Sequence, residues 1–385
     1  MYKNAAVFKF HATNINIVLS FFLRGIILDK NRIICYLTLI IAILLLLYGG
    51  LSTAATLILA VVAIAIILFT RRAYLYFVKA NRIYSAHDYP RYDEAFKYYK
   101  KTLKAGISPK YTVLTATILI QEGEMDEGKA ALEKLLGQRF VKDETIRSQA
   151  KCALSLVPYS QGDYEKALEL CQEVYEGSYR DNILYINMCT YLLALGRVKD
   201  FRRVVRDFSQ KPVTSLAMLD LQAVYQLLEG DWKGARAMLV ALFEKNGHFS
   251  FADPYLHMAQ IMMHYGDGQA ALDYIRRALA DVKFRPVTVI PAAMLEELAR
   301  LLEDGTKLVD VMASCDADPL PLLNGRLPEI GAHPGYVFAD RGELESVDEE
   351  VQRRLEAEEK DLEDKEPDTA LNDDDEEWLR RHGNS

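Results

Sequence analysis

The 385 residues exceed the usual size of one compact domain, and half of them are apolar, so the chain reads as two or more units or a repeat array with ample material for a core. The net charge of -8 is unevenly placed: Arg341 to Ser385 holds 18 acidic against 7 basic side chains, which leaves a near-neutral body with an acidic tail. Five scattered cysteines, Cys35, Cys152, Cys171, Cys189 and Cys315, form no C-x-x-C pair, so neither a zinc knuckle nor a disulfide framework is indicated and a reducing compartment fits.

In chain order, residues 1–32 form a cytoplasmic segment whose apolar stretch from Ile17 to Leu28, interrupted by Arg24, predicts an interfacial helix. Ile33 to Thr70 then runs for 38 residues without a charge, about twice the length that spans a ~30 Å hydrocarbon core as one helix. Gly49-Gly50 divides it into 33–48 and 51–70, a transmembrane helical hairpin with permissive glycines at the turn. Basic flanks on both sides, Lys30 and Arg32 before, Arg71, Arg72, Lys79 and Arg82 after, place both termini in the cytoplasm of a multi-pass protein of the inner (cytoplasmic) membrane. The run is far longer than a signal peptide's apolar region and ends in a stop-transfer pattern.

Beyond the hairpin one pattern recurs: an apolar helix, a turn usually opening with Gly, and a second helix with a small residue five positions on. The copies begin at Pro90, Gly123, Gly162, Gly196, Gly230 and Gly266, spaced by 33, 39, 34, 34 and 36 residues. The clearest reads GDYEKAL, Gly162 to Leu168. Small residues stand at the helix crossings: Ala116, Ser155, Cys189, Ala223 and Ala259 on the first helices, Ala95, Gly128, Ala167, Ala235 and Ala271 on the second. Phe201 breaks the rule and predicts a splayed fourth unit, while Pro158 should kink or end its helix.

This pattern resembles the tetratricopeptide-repeat family, whose period is about 34 residues, although the family's first-helix Trp is absent. The resemblance implies an all-α fold: the hairpin, a solenoid of about six repeats with a capping helix over 71–303, and an acidic, partly disordered C-terminal tail over 304–385. It also implies a groove lined by Val113, Thr117 and Ile120, then Cys152, Leu156 and Tyr159, then Ile186, Thr190 and Leu193. Asp220, Val224 and Leu227 follow, and Leu256, Gln260 and Met263 complete it. The groove is mainly apolar and lacks a carboxylate clamp, so its expected occupant is an amphipathic or apolar helix of a client protein.

A basic face, Lys199, Arg202, Arg203 and Arg206, recurs at helical spacing, and Lys97, Lys100, Lys101 and Lys104 add a cluster near the membrane that suits anionic lipid. Neither accompanies a stacking motif for nucleic acid, and none is expected as a partner. Phosphate-loop, zinc-protease, nucleophile-elbow and EF-hand motifs are absent, so no enzyme, no cofactor and no metal are expected. The alternatives are a metal-dependent regulator or enzyme using Asp253, His257 and His264, which with Gln260 share a helix face, or a lipid-binding membrane organiser. The two histidines are two turns, about 10 Å, apart. In the tail, Pro319 to Gly335 reads as an extended linker, residues 343–364 as a thinly amphipathic helix, and Asn372 to Glu377 as disordered. The tail is expected to fold back onto the groove or the basic unit.

Overall fold

The structure, a computed structural model, describes residues 36–42, 44–45, 52–139 and 141–363. Among them all regular structure is helical. The interfacial segment, the Gly49-Gly50 turn and the acidic stretch from Asn372 lie outside the described residues. Two compact units divide the chain, one drawn from residues up to 150 and one from Lys151 onward, with the 121–123 turn counted in the second.

The first unit is built on α1, Thr53–Ser85, 33 residues opened by the Ser52 hydroxyl accepting from the Ala55 N–H. It is the one helix among the described residues long and apolar enough to cross a membrane. Residues 36–42 and 44–45 of the expected first arm are helical. The second arm does not stop at Thr70 as its composition predicts. No Gly or Pro interrupts Thr53 to Ser85, so polarity changes at Arg71 while the backbone continues. After a 3-10 turn at Tyr89–Arg91, α2 (Tyr92–Ala105) packs back antiparallel along the polar end of α1. Ring contacts fix the register: Tyr84 to Tyr92 at 5.0 Å, Phe77 to Tyr99 at 6.2 Å and Tyr76 to Tyr98 at 6.1 Å. Ala80 and Ala95 are fully buried. Next come α3 (Pro109–Gln121) and α4 (Met125–Leu136), where Gly128 faces α3 so closely that a Cβ would lie 2.8 Å from the Ala116 carbonyl oxygen. Only glycine fits that crossing.

The boundary between the units falls within α5, Glu144–Leu154. Helix formation breaks at Ser155 before the short α6, Leu156–Ser160, because Pro158 has no N–H to give the Leu154 carbonyl. Three helix pairs follow α6 and α7 (Tyr164–Glu176): α8 (Asn182–Ala194) with α9 (Val198–Phe208), α10 (Leu216–Glu229) with α11 (Trp232–Asn246), and α12 (Asp253–His264) with α13 (Gly268–Asp281).

Each pair turns the same way. At Gly230, with φ 80°, the glycine N–H reaches the Leu227 carbonyl at 3.1 Å and the next N–H reaches Gln226 at 2.9 Å, which closes α10 in the left-handed glycine cap. The following Asp231 then caps α11 by accepting from the Gly234 N–H, and Asp163 and Asp267 do the same for α7 and α13. The expected small residues at the crossings are buried, and so is Phe201, which is accommodated rather than exposed.

The C-terminal part differs from its expected form. Helix α14 (Ala292–Glu303) stands where the capping helix was expected, but it does not end the packing, because residues 304–340 are not a bare linker. They hold α15 (Leu308–Ala317) and one helical turn, α16 (Leu320–Leu323), and both pack against α12. The last helix among the described residues, α17 (Gly342–Glu363), lies on α11 with Leu344 and Val351 buried. As a result ten consecutive residues of α12, Pro254 to Met263, are buried.

Candidate interaction surface

Val113 and Ile120 in the first unit are buried, and the Thr117 hydroxyl bonds back to the Val113 carbonyl at 2.8 Å, so this trio packs within its own unit. In the second unit the expected groove residues share one face, and most are covered. Cys152, Leu193, Asp220, Val224, Leu227, Leu256, Gln260 and Met263 are buried, whereas Leu156, Tyr159, Ile186 and Thr190 are half-buried. The cover is the chain's own segment from Asp316 to Ala339.

That segment docks by hydrogen bonds to main chain and by leucines. Gln260 donates its Nε2 to the Pro319 carbonyl at 3.1 Å, and Asn324 donates its Nδ2 to the Leu193 carbonyl at 2.9 Å. Leu323 joins the hydrophobic cluster of Leu193 and Val224, while Leu322, fully buried, joins that of Leu227, Leu256 and Met263. Each fully buried leucine contributes about 1.5–3 kcal/mol. At Gly325, φ 65°, a Cβ would meet the Val289 carbonyl oxygen at 2.0 Å, so the chain can leave α16 only through a glycine. The Gln260 Oε1 is buried without a donor among the described residues.

The far end is held by His264. Its ring stacks on Trp232 at 4.0 Å and its Nδ1 meets Asp316 Oδ1 at 2.8 Å, and the second oxygen of that carboxylate accepts from the Tyr336 hydroxyl at 2.5 Å. The Ala339 N–H bonds the His264 carbonyl at 3.1 Å. His257 has a different partner, Asp220, at 2.8 Å with both side chains 4 % exposed. Burial disfavours the His257 proton, but Asp220 and Asp253 outweigh it and raise the pKa. Burial, with Asp220 nearby, pushes Asp253 up to about 6. The two histidines are thus satisfied separately, and no group of three or more His, Cys, Asp or Glu is placed to hold a metal among the described residues.

Two of the four basic side chains on α9 are neutralised. Arg202 pairs with Glu229 at 2.5 Å and Arg203 with Asp200 at 3.0 Å, whereas Lys199 and Arg206 are exposed and make no ion pair with a described residue. Cys152, Cys171, Cys189 and Cys315 are buried free thiols. Sequence reasoning missed the covering residues Asp316, Pro319, Leu322, Asn324 and Tyr336. Their one sequence signal is the leucine-rich PLPLL run inside an otherwise polar region.

Compared with protein-family models and with curated proteins, the chain matches none.

Proposed function

We propose that the chain is a membrane-anchored protein-interaction scaffold, in which a helical hairpin over 33–70 fixes a stack of tetratricopeptide-like helix pairs to the cytoplasmic face of the inner membrane. The observation that carries this reading is the repetition of one helix–glycine turn–helix unit, with small residues buried at every crossing position but that of Phe201, in a chain that also has a bilayer-length apolar helix. Repeats of this kind present a continuous face, and tethering raises the local concentration of whatever that face binds.

The client is an apolar or amphipathic helical segment that uses the face now covered by residues 316–339. Leucines enter the two hydrophobic clusters and a donor reaches Gln260 Oε1, the acceptor left open there. Client and covering segment therefore compete. Photo-crosslinkers at Leu156, Ile186 and Thr190, with Leu45 on the apolar arm as control, test this in cells. A discrete client whose yield rises when Asn324→Ala loosens the cover supports the reading, and crosslinks only to residues 316–339 in both forms remove it.

A further inference from the structure

We propose that the end of the first unit nearest the apolar run of α1 is a binding surface for anionic phospholipid headgroups, formed by Arg71, Arg72, Lys101, Lys104 and Lys110. The inference rests on α1 crossing a bilayer and is otherwise independent of any protein client.

Register carries the first step. Helix α2 runs antiparallel to α1 with Tyr92 beside Tyr84 and Tyr98 beside Tyr76. Continued downwards, that register brings Lys101 level with Tyr74 and Lys104 level with Arg71. Helix α2 then stops at Ala105, where Gly106 takes φ 77° and turns the chain away. The uncharged stretch of α1 stops at Thr70, so the packed unit ends where the hydrocarbon begins. Tyr111, 5.8 Å from Tyr74 and 4.9 Å from Phe77, brings the start of α3 and Lys110 to the same level.

Charge carries the second. Arg72, Lys101, Lys104 and Lys110 are exposed, Arg71 is half-buried, and none of the five makes an ion pair with a described residue. Lys100, on the next face of α2, shows the contrast: Glu124 at 2.7 Å and Glu127 at 2.9 Å take up its charge. Arg82 and Lys97, farther from the apolar run, are also exposed without an ion pair to a described residue, so what sets the five apart is their shared membrane-proximal level.

Aromatic rings mark the same layer. Arg72 lies 4.1 Å over Phe69, and Lys101 lies 5.8 Å from Tyr76 and 5.2 Å from Tyr98. Tyr74 is four residues beyond Thr70, about 6 Å along the helix, within a headgroup layer roughly 5–8 Å deep. Tyrosines at this depth sit in the interface with apolar ring and polar tip both satisfied. Basic side chains here hold phosphate and carboxylate groups, and the attraction fades within a Debye length, ~8 Å at physiological salt.

The test uses the full chain in nanodiscs of equal phosphatidylcholine and phosphatidylserine, with the lipids that remain bound after mild release identified by native mass spectrometry. Wild type should retain phosphatidylserine at about threefold or more over phosphatidylcholine. Lys101→Glu, Lys104→Glu and Lys110→Glu together should abolish the preference, the three Lys→Arg changes should keep it, and Lys199→Glu with Arg206→Glu should leave it untouched. Equal retention of both lipids by wild type, which depends on no variant, overturns the proposal. So does a preference that survives the triple reversal. An alkaline carbonate wash separates the two readings, because release of the chain from the bilayer means that the anchor itself fails.

Discussion

Asn324 donates its side-chain N–H to the main-chain carbonyl of Leu193, 131 residues earlier, and so ties the C-terminal segment to the last turn of α8. Removing the amide by Asn324→Ala leaves that carbonyl without its partner, a cost of about 1–2 kcal/mol. Hydrogen exchange should quicken in residues 319–327 while α8 and α10 keep their protection. Unchanged exchange there would mean that the leucines alone hold the segment.

Gly325→Ala is a harsher change at the same place. The new methyl must displace the Val289 carbonyl from a backbone conformation that L side chains rarely adopt, a cost of about 3 kcal/mol. Limited proteolysis should open sites within 318–341 in this variant before any appear in α12. If both cut at the same rate, the segment and the helix pairs unfold as one body.

Helix α17 is held by a two-pronged pair, Arg236 Nε to Asp348 Oδ1 at 3.0 Å and Nη2 to Oδ2 at 2.5 Å, with the arginine buried. Asp348→Ala leaves that guanidinium without a counter-charge and should cost about 1–3 kcal/mol of helix docking. Exchange over 344–356 reports it. Arg236→Met with Asp348→Leu should restore protection, which a purely exposed pair would not require.

Asp253 and His257 make stability depend on pH with one sign. The folded pKa of Asp253, about 6, lies above its ordinary 3.8, so the folded chain holds the proton more tightly and loses stability as pH rises between these values. His257, raised above 6.5, contributes fully below that value and loses its contribution as pH climbs through the folded pKa. Asp253→Asn should therefore flatten the fall in Tm from pH 4 to 6 and add on the order of 2 kcal/mol above that range. Identical pH profiles for wild type and variant would show that Asp253 is solvated.

The helix pairs were legible because local signals agree: apolar periodicity, a glycine that can take positive φ, and an aspartate next to it that caps the following helix. The crossings at Gly128 and Ala223 could be read from size alone. Two things could not. The continuation of α1 past Thr70 is invisible to hydropathy, since Arg71 and Arg72 change the solvent a helix prefers without breaking it. That the tail folds back onto the groove was expected, but the residues that do so were hidden for the opposite reason. Leu320, Pro321 and Leu322 have no periodicity over so short a run, and their order comes from the apolar face of α12, so the residues read as a client's groove were in part the chain's own core.

The unbroken course of α1 also has a mechanical side. From Arg71 to Ser85 it extends about 22 Å beyond the apolar stretch as a single rod, with α2 bracing it from the side. If α1 crosses a bilayer as proposed, a lipid-thickness change that alters the rod's tilt by ten degrees or so would swing its outer end by about 4 Å, with no hinge between to absorb it. With α1 in a bilayer, as proposed, membrane thickness would thereby be converted into displacement of Ser85 and the turn that follows it.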